Sequence, residues 1–207
     1  MKILNLYAGI GGNRKLWGDE HEVTAVEYKP EIAKIYQDNF PNDKVIVADA
    51  HKYLLEHFNE FDFIWSSPPC PSHSKVRIIA TYEKGTNNIR QKPLYPDMKL
   101  YEEIIFLKHY FRGKWCVENV IGFYEPLYPP HKVGGHYFWT NFYVSETSTE
   151  SRDHYGSIED LEKRKGFDLK NYKVNKRLVL RNCVEPELGK YILDFAITPY
   201  EPNLKLI

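Results

Sequence analysis

The sequence predicts an α/β fold, a doubly wound and mainly parallel sheet with helices on both faces. Three observations carry that reading. Strand-like and helix-like segments alternate through the first 120 residues, and strands separated by helices return through right-handed crossovers to lie parallel. A glycine-rich turn, Gly9-Ile10-Gly11-Gly12, follows the first strand-like segment. Side chains able to do chemistry stand where strands end: Glu27, Asp49, Cys70 and Glu118.

Lys2–Tyr7 reads as the first strand, and a short helix runs through Leu16-Trp17 after the glycine turn. His21–Glu27 is the second strand. Pro30–Phe40 reads as a helix because proline at a first helical position loses no hydrogen bond. Lys44–Val47 is a short third strand and His51–His57 a helix. Phe61–Trp65 is a fourth strand that runs into Ser66-Ser67-Pro68-Pro69-Cys70. A polar loop over residues 71–95 precedes a helix from Asp97 to Tyr110 and a fifth strand, Lys114–Val117. After Val120 the pattern changes. Tyr137-Phe138-Trp139 and Phe142-Tyr143-Val144 read as paired strands around Thr140-Asn141, with the aromatics as core. Residues 145–175 are polar and weakly periodic. Pro186–Ala196 closes the chain as a helix, its Leu188, Tyr191, Ile192 and Phe195 falling at helical spacing.

The 207 residues, 43% of them hydrophobic, suit one domain with its own core. A mean hydropathy of -0.53, with no apolar run near ~18 residues, excludes a membrane-spanning helix. The N-terminal residues lack the apolar stretch and cleavage site of a signal peptide. Cys70, Cys116 and Cys183 are odd in number and widely spaced, which argues against disulfides and against a zinc site. A reducing, cytoplasmic setting without a metal is expected, with Cys116 and Cys183 inert and Trp17, Trp65 and Trp115 in the core. The 28 basic and 28 acidic side chains cancel, but unevenly. Residues 71–92 hold five basic against one acidic side chain, and residues 163–181 hold eight against one. Two basic stretches in an otherwise acidic chain point to a polyanion surface.

The glycine turn lets a ligand approach the backbone of a helix N-terminus. A dinucleotide fingerprint would need glycine at Arg14, so a nicotinamide cofactor is disfavoured. Glu27, 18 residues after Gly9, can accept ribose hydroxyls, and Asp49 an exocyclic amine. Each alone reads as a surface carboxylate; at successive strand ends they favour an adenosine-containing ligand. Pro68-Pro69-Cys70, with Ser74 beyond, is the sharpest signal. Two prolines fix the backbone at a strand end, and cations of the following loop would favour a thiolate nucleophile. The fifth strand leads into Val117-Glu118-Asn119-Val120. In a 3-2-1-4-5 sheet, strands 4 and 5 lie about 4.8 Å apart, so Cys70 and Glu118 face one pocket beside the glycine turn.

These motifs resemble those of the cytosine-C5 DNA methyltransferases. Asn5-Leu6-Tyr7-Ala8-Gly9-Ile10-Gly11-Gly12 is similar to the family's cofactor motif. Pro68-Pro69-Cys70 with Ser74 resembles its catalytic Pro-Cys motif, and Glu118-Asn119-Val120 its Glu-Asn-Val motif. Asn182-Cys183-Val184-Glu185-Pro186 with Leu188 resembles a late motif whose Asn borders the cofactor, and His136–Asn141 the arginine-bearing motif. The resemblance covers residues 1–145 and 176–196. It implies a Rossmann-like domain using S-adenosylmethionine, held by Tyr7, Ala8, Gly9, Ile10, Gly11, Gly12, Glu27, Tyr28, Asp49, Ala50, Pro68 and Asn182.

It further implies a cytosine flipped out of duplex DNA, attacked at C6 by Cys70. Glu118 then holds the N3/N4 edge and Asn119 orients the acid or the proline loop. Ser74, Lys75, Arg77, Arg90, His136, Lys163, Arg164 and Lys165 become candidate nucleic-acid contacts. Departures stand beside the match. Pro71 replaces a usual Gln, Gly134 and His136 replace expected arginines, and Arg181 replaces a Gly. The stretch 145–175 leaves only a minimal target-recognition segment, so a short or loose target sequence is expected. A restriction partner is undetermined, and a monomer is expected. RNA, single-stranded DNA or a nucleotide as substrate is one rival reading, and a catalytically silent module is another.

Overall fold

The computed structural model describes residues 1–85, 88–147 and 156–198. Seven strands form one sheet: β1 (Lys2–Leu6), β2 (Glu22–Glu27), β3 (Lys44–Val47), β4 (Phe63–Ser66), β5 (Lys114–Val120), β6 (His131–Val133) and β7 (His136–Thr140). Their order is β3-β2-β1-β4-β5-β7-β6. The first five are parallel neighbours; β7 runs antiparallel to β5, and β6 antiparallel to β7. The helices are α1 (Pro30–Asn39), α2 (Ala50–His57), α3 (Lys75–Thr81), α4 (Lys99–Tyr110), α5 (Ile158–Lys165), α6 (Lys176–Arg181) and α7 (Pro186–Ile197). The 3-2-1-4-5 arrangement and its crossovers are as the alternation of segments predicts.

Local sequence explains the element ends. Pro30 and Pro186 open α1 and α7. Asp49 caps α2 by accepting the Lys52 N–H, and Ser157 and Asp160 form a reciprocal cap on α5, which stops at Gly166 in the left-handed region. Buried residues fall into three groups. One lies under α2 and α4, around Leu54, Ile104, Leu107 and Val117. A second holds Trp17, Phe63, Trp65 and Phe138 against α7. The third joins the glycine loop and α1 to Leu161, Phe167 and Leu169. Trp17, Trp65, Trp115 and the run Tyr137-Phe138-Trp139 are all buried, as expected. Among the described residues no helix is long and apolar enough to cross a membrane.

Three expectations are corrected. Phe142-Tyr143-Val144 is not a strand. The partner of β7 in the hairpin is β6, joined through Gly134-Gly135, both at positive φ as a two-residue hairpin turn requires. Asn141 ends β7: its side chain accepts the Trp115 N–H at 3.0 Å and donates to the Gly113 carbonyl at 2.9 Å, which turns the chain away. The polar loop contains α3, capped by the Ser74 hydroxyl, which accepts the Val76 N–H. The stretch 145–175, of which residues 148–155 lie outside the described residues, contributes Leu161, Phe167 and Leu169 to the third core group. Apolar residues beside the glycine loop are drawn inward in spite of the charge around them.

Candidate active site

The register of the sheet brings the candidate residues to one edge. Leu6 pairs with Val26 on one side and Ser66 on the other, and Ser66 pairs with Val117. The residues that follow these strands, Tyr7 to Gly12, Glu27-Tyr28, Pro68 to Cys70 and Glu118-Asn119, therefore emerge together at the carboxyl ends. Parallel α/β sheets place ligands there.

The glycine loop is shaped by conformation and by partners. Tyr7 has φ +55°, and among the described residues it is the one non-glycine in the left-handed region. Gly9 shares that conformation, and a Cβ there would meet no atom within 4 Å, so its open side is free for a ligand. Gly12 is the opposite case: a Cβ would fall 2.2 Å from the Val184 carbonyl oxygen and 2.3 Å from Cys183 Sγ. The loop thus lies directly on the segment containing Asn182, itself exposed at the end of α6. Glu27 holds the loop from the next strand, accepting the Gly9 N–H at 3.0 Å and the Lys29 N–H at 3.0 Å. Tyr28 is 72% exposed beside it, Ala50 and Pro68 are buried, and Asp49 is exposed but bonded to Lys52. A cradle with an open glycine, a carboxylate and an exposed aromatic fits a nucleoside-bearing cofactor. Arg14, where a third glycine would stand, is buried in a bidentate pair with Asp43 at 2.9 and 3.1 Å.

Cys70 is half-buried on a loop clamped to β5 and the segment beyond it. Before it, Asn119 Nδ2 donates to the Pro68 carbonyl at 3.0 Å, so Asn119 acts on the proline loop. After it, the Cys70 carbonyl accepts the N–H groups of His73 and Ser74, while the Phe123 N–H donates to the His73 carbonyl at 3.1 Å. Buried His73 also makes a 2.6 Å bond to the Tyr124 hydroxyl. Glu118 is 6% exposed, and its Oε1 accepts from His136 Nδ1 at 2.6 Å. The expectation that loop cations would make Cys70 acidic is corrected. Burial first, and the Glu118 carboxylate second, push its thiol up to about 11. Cys116 and Cys183 are buried away from solvent.

The basic candidates separate. Lys75, Arg90 and Lys163 are exposed. Ser74 caps α3. Arg77 folds back on its own loop, donating to Gln91 Oε1 at 2.7 Å and to the Lys92 carbonyl at 3.1 Å, so it shapes the loop. Arg164 pairs with Glu185 at 2.9 Å. Lys165 is fully buried, bonded to the Cys183 carbonyl and 3.3 Å from Glu185, and is unavailable to a polyanion. One helical turn from buried Leu161, it is carried inward by the phase of α5. His136 is buried beside Glu118, and its partner is the acid. Sequence reasoning missed Glu103 of α4, which is 0% exposed and lies under the glycine loop. The signal was a carboxylate in phase with Leu100, Ile104 and Leu107 on an apolar face.

Residues 1–124 match the family described as C-5 cytosine-specific DNA methylase. The chain is 31% identical over 130 residues to the Type II methyltransferase M.Bsp6I of Bacillus sp. (strain RFL6), a match covering 59% of this chain and 38% of that protein. It is 28% identical over 82 residues to a Mus musculus tRNA (cytosine(38)-C(5))-methyltransferase, covering 37% and 20% respectively. Among solved structures, a Spodoptera frugiperda DNMT2 matches at 26% identity with a TM-score of 0.39, over 59% of this chain and 36% of that one. The chain thus spans well under half the length of these relatives.

Proposed function

The chain belongs to the C-5 cytosine-specific DNA methylase family, and we propose that it methylates C5 of a cytosine flipped out of DNA through a covalent Cys70–C6 adduct. The observation that carries this reading is the clamping of the Cys70 loop across β5, on both sides of the nucleophile, with Glu118 at the same sheet edge.

S-adenosylmethionine would supply the methyl group, held by the glycine loop, Glu27, Tyr28 and the segment at Asn182. The Gly9 face open beyond 4 Å is the feature that fits it. The protein's own residues do the rest. Cys70 gives up its proton to solvent and its sulfur adds to C6 of the ring. Glu118 hydrogen-bonds the N3/N4 edge, so that the ring is held in one orientation while the attack pushes charge into it. His136, with Nδ1 on Glu118 Oε1, holds that carboxyl in one rotamer. Once C5 carries the methyl group, solvent takes the C5 proton and the sulfur leaves C6 as a thiolate, which restores the aromatic ring and, on taking up a proton, the free thiol. Asn119 and the two prolines keep the sulfur on its line of attack. Lys75 and Arg90 on one side, and Lys163 with exposed Lys170 and Lys173 on the other, supply phosphate contacts. With residues 145–175 as a small recognition segment, the expected target sequence is short. RNA is the second reading, favoured by the similarity to the mouse tRNA methyltransferase.

The test is trapping on 5-fluorocytosine, whose C5 fluorine blocks the final elimination. Duplex DNA, single-stranded DNA and RNA oligonucleotides carrying it are incubated with S-adenosylmethionine and wild-type protein or Cys70→Ala. A cofactor-dependent adduct on duplex DNA, absent in Cys70→Ala, is expected. An adduct on RNA alone would replace DNA with RNA, and no adduct on any strand would refute the covalent mechanism.

A further inference from the structure

Beneath the glycine loop lies a buried carboxylate that the proposed chemistry does not use. Glu103 sits on the inner face of α4, fully buried among Leu100, Ile104 and Leu107. Its Oε1 accepts from the Tyr7 hydroxyl at 2.6 Å and from His51 Nδ1 at 3.0 Å. Its Oε2 accepts from the Ser66 hydroxyl at 2.5 Å. A carboxylate removed from water is stable only where every lone pair is matched and a counter-charge lies close, and among the described residues His51 is the one cation-forming group bonded to it. The three donors come from three different parts of the sheet edge. Tyr7 opens the glycine loop in a left-handed conformation that is costly for a non-glycine residue. His51 lies in the first turn of α2, next to Asp49 and Ala50. Ser66 is the last residue of β4, before Ser67-Pro68-Pro69-Cys70.

We propose that Glu103 is a positioning residue which, paired with protonated His51, holds Tyr7 in its left-handed conformation and so sets the shape of the S-adenosylmethionine site. This rests on the cofactor reading above. Without Glu103 the Tyr7 hydroxyl loses this bond, and relaxation of its φ would swing Ala8 and Gly9 away from Glu27. The Glu103 bond raises the pKa of His51 above its ordinary value of 6.5. The charged groups facing His51 are Glu103 at 3.0 Å and Glu102 at 3.6 Å from α4, Lys99 from the same helix, and Asp49 at the start of α2. Acidic groups outnumber the one lysine, consistent with a protonated ring. The pair is intact at low pH and is lost as pH rises through the elevated His51 value, so cofactor affinity should weaken in that direction.

The experiment is calorimetric titration of S-adenosylmethionine into wild type, Glu103→Gln, Tyr7→Phe and His51→Asn, with thermal melts as a fold control. His51→Asn keeps a donor at the position of Nδ1 and removes the charge. Glu103→Gln is expected to weaken binding about tenfold, or about 1.4 kcal/mol. Tyr7→Phe, which leaves the buried pair in place, should weaken it in the same direction, so the proposal stands even if Glu103→Gln fails to fold. Between pH 6.5 and 9 the wild-type Kd should rise about fivefold more than that of His51→Asn. The amino group of the ligand titrates equally in both and cancels in the ratio. Wild-type affinity in folded Glu103→Gln or in Tyr7→Phe, or the same pH response in His51→Asn as in wild type, would overturn the proposal. A wild type that binds no S-adenosylmethionine would instead overturn the cofactor reading beneath it.

Discussion

In the free protein Cys70 should be a poor nucleophile at neutral pH, and Glu118 should be part of the reason. With its thiol pushed up to about 11, roughly one molecule in 1,000 carries a thiolate at pH 8, against roughly one in ten for a thiol at the ordinary 9.0. Below the elevated value the reactive fraction rises tenfold for each pH unit. Glu118→Gln removes the second cause and leaves the first, burial, in place. The midpoint should therefore fall in that variant but remain above 9. The assay is iodoacetamide alkylation from pH 7 to 11, followed peptide by peptide by mass spectrometry, with buried Cys116 and Cys183 as silent internal controls. A wild-type midpoint at or below 8.5, or a midpoint raised by Glu118→Gln, would refute the reasoning. If it holds, methyl transfer should accelerate as pH rises from 7 to 9. On the proposed mechanism substrate binding places a hydrogen-bond donor on Glu118 and offsets its charge, so it should move the alkylation midpoint down.

Lys165→Met should lower unfolding free energy by about 3 kcal/mol in chemical denaturation, since it strips a buried ion pair of its cation, while nucleic-acid affinity stays unchanged. Asp43→Asn breaks the buried pair with Arg14 and should cost about 3–5 kcal/mol by the same measurement. Gly9→Ala and Gly12→Ala should differ in what they damage. The first meets no protein atom, so its stability cost is the roughly 1–2 kcal/mol of left-handed strain, and it should weaken S-adenosylmethionine binding at least tenfold in calorimetry. The second drives a methyl into the Val184 carbonyl and should cost about 1–3 kcal/mol of stability in a denaturant titration.

The strand ends were legible because punctuation marks them: glycines after Leu6, two prolines before Cys70, Glu-Asn after Val117. These residues have backbone or chemical reasons to stand where they do, and the parallel crossover rules bring them to one edge. Three other features were not legible. Phe142-Tyr143-Val144 has strand composition, but Asn141 spends its side chain on the neighbouring strand, and the hairpin signal lay instead in Gly134-Gly135. Lys165 belongs to a charged run whose helical phase, set by Leu161, turns one of its cations inward. Glu103 stands beside Glu102, and composition alone cannot distinguish the carboxylate that faces the core from the one that faces water. The direction of the Cys70 shift also escaped sequence reading, because it depends on which charge is nearest in space.

The pairing of β5 has a consequence for where Glu118, the acid of the proposed mechanism, gets its precision. Its ladder with β4 ends at Val117, and Glu118, Asn119 and Val120 pair only with Phe138, Tyr137 and His136 of β7. The acid is thus carried on a spur beyond the parallel sheet, steadied by a hairpin whose outer strand β6 is the end of the sheet. A hairpin closing over residues 131–140 is a local event in folding terms, whereas the parallel core must join distant segments. Amides of the spur should therefore exchange with solvent at the rate of hairpin opening and not at that of global unfolding. Loosening the turn at Gly134-Gly135 should abolish the proposed methyl transfer while the core and the glycine loop remain folded.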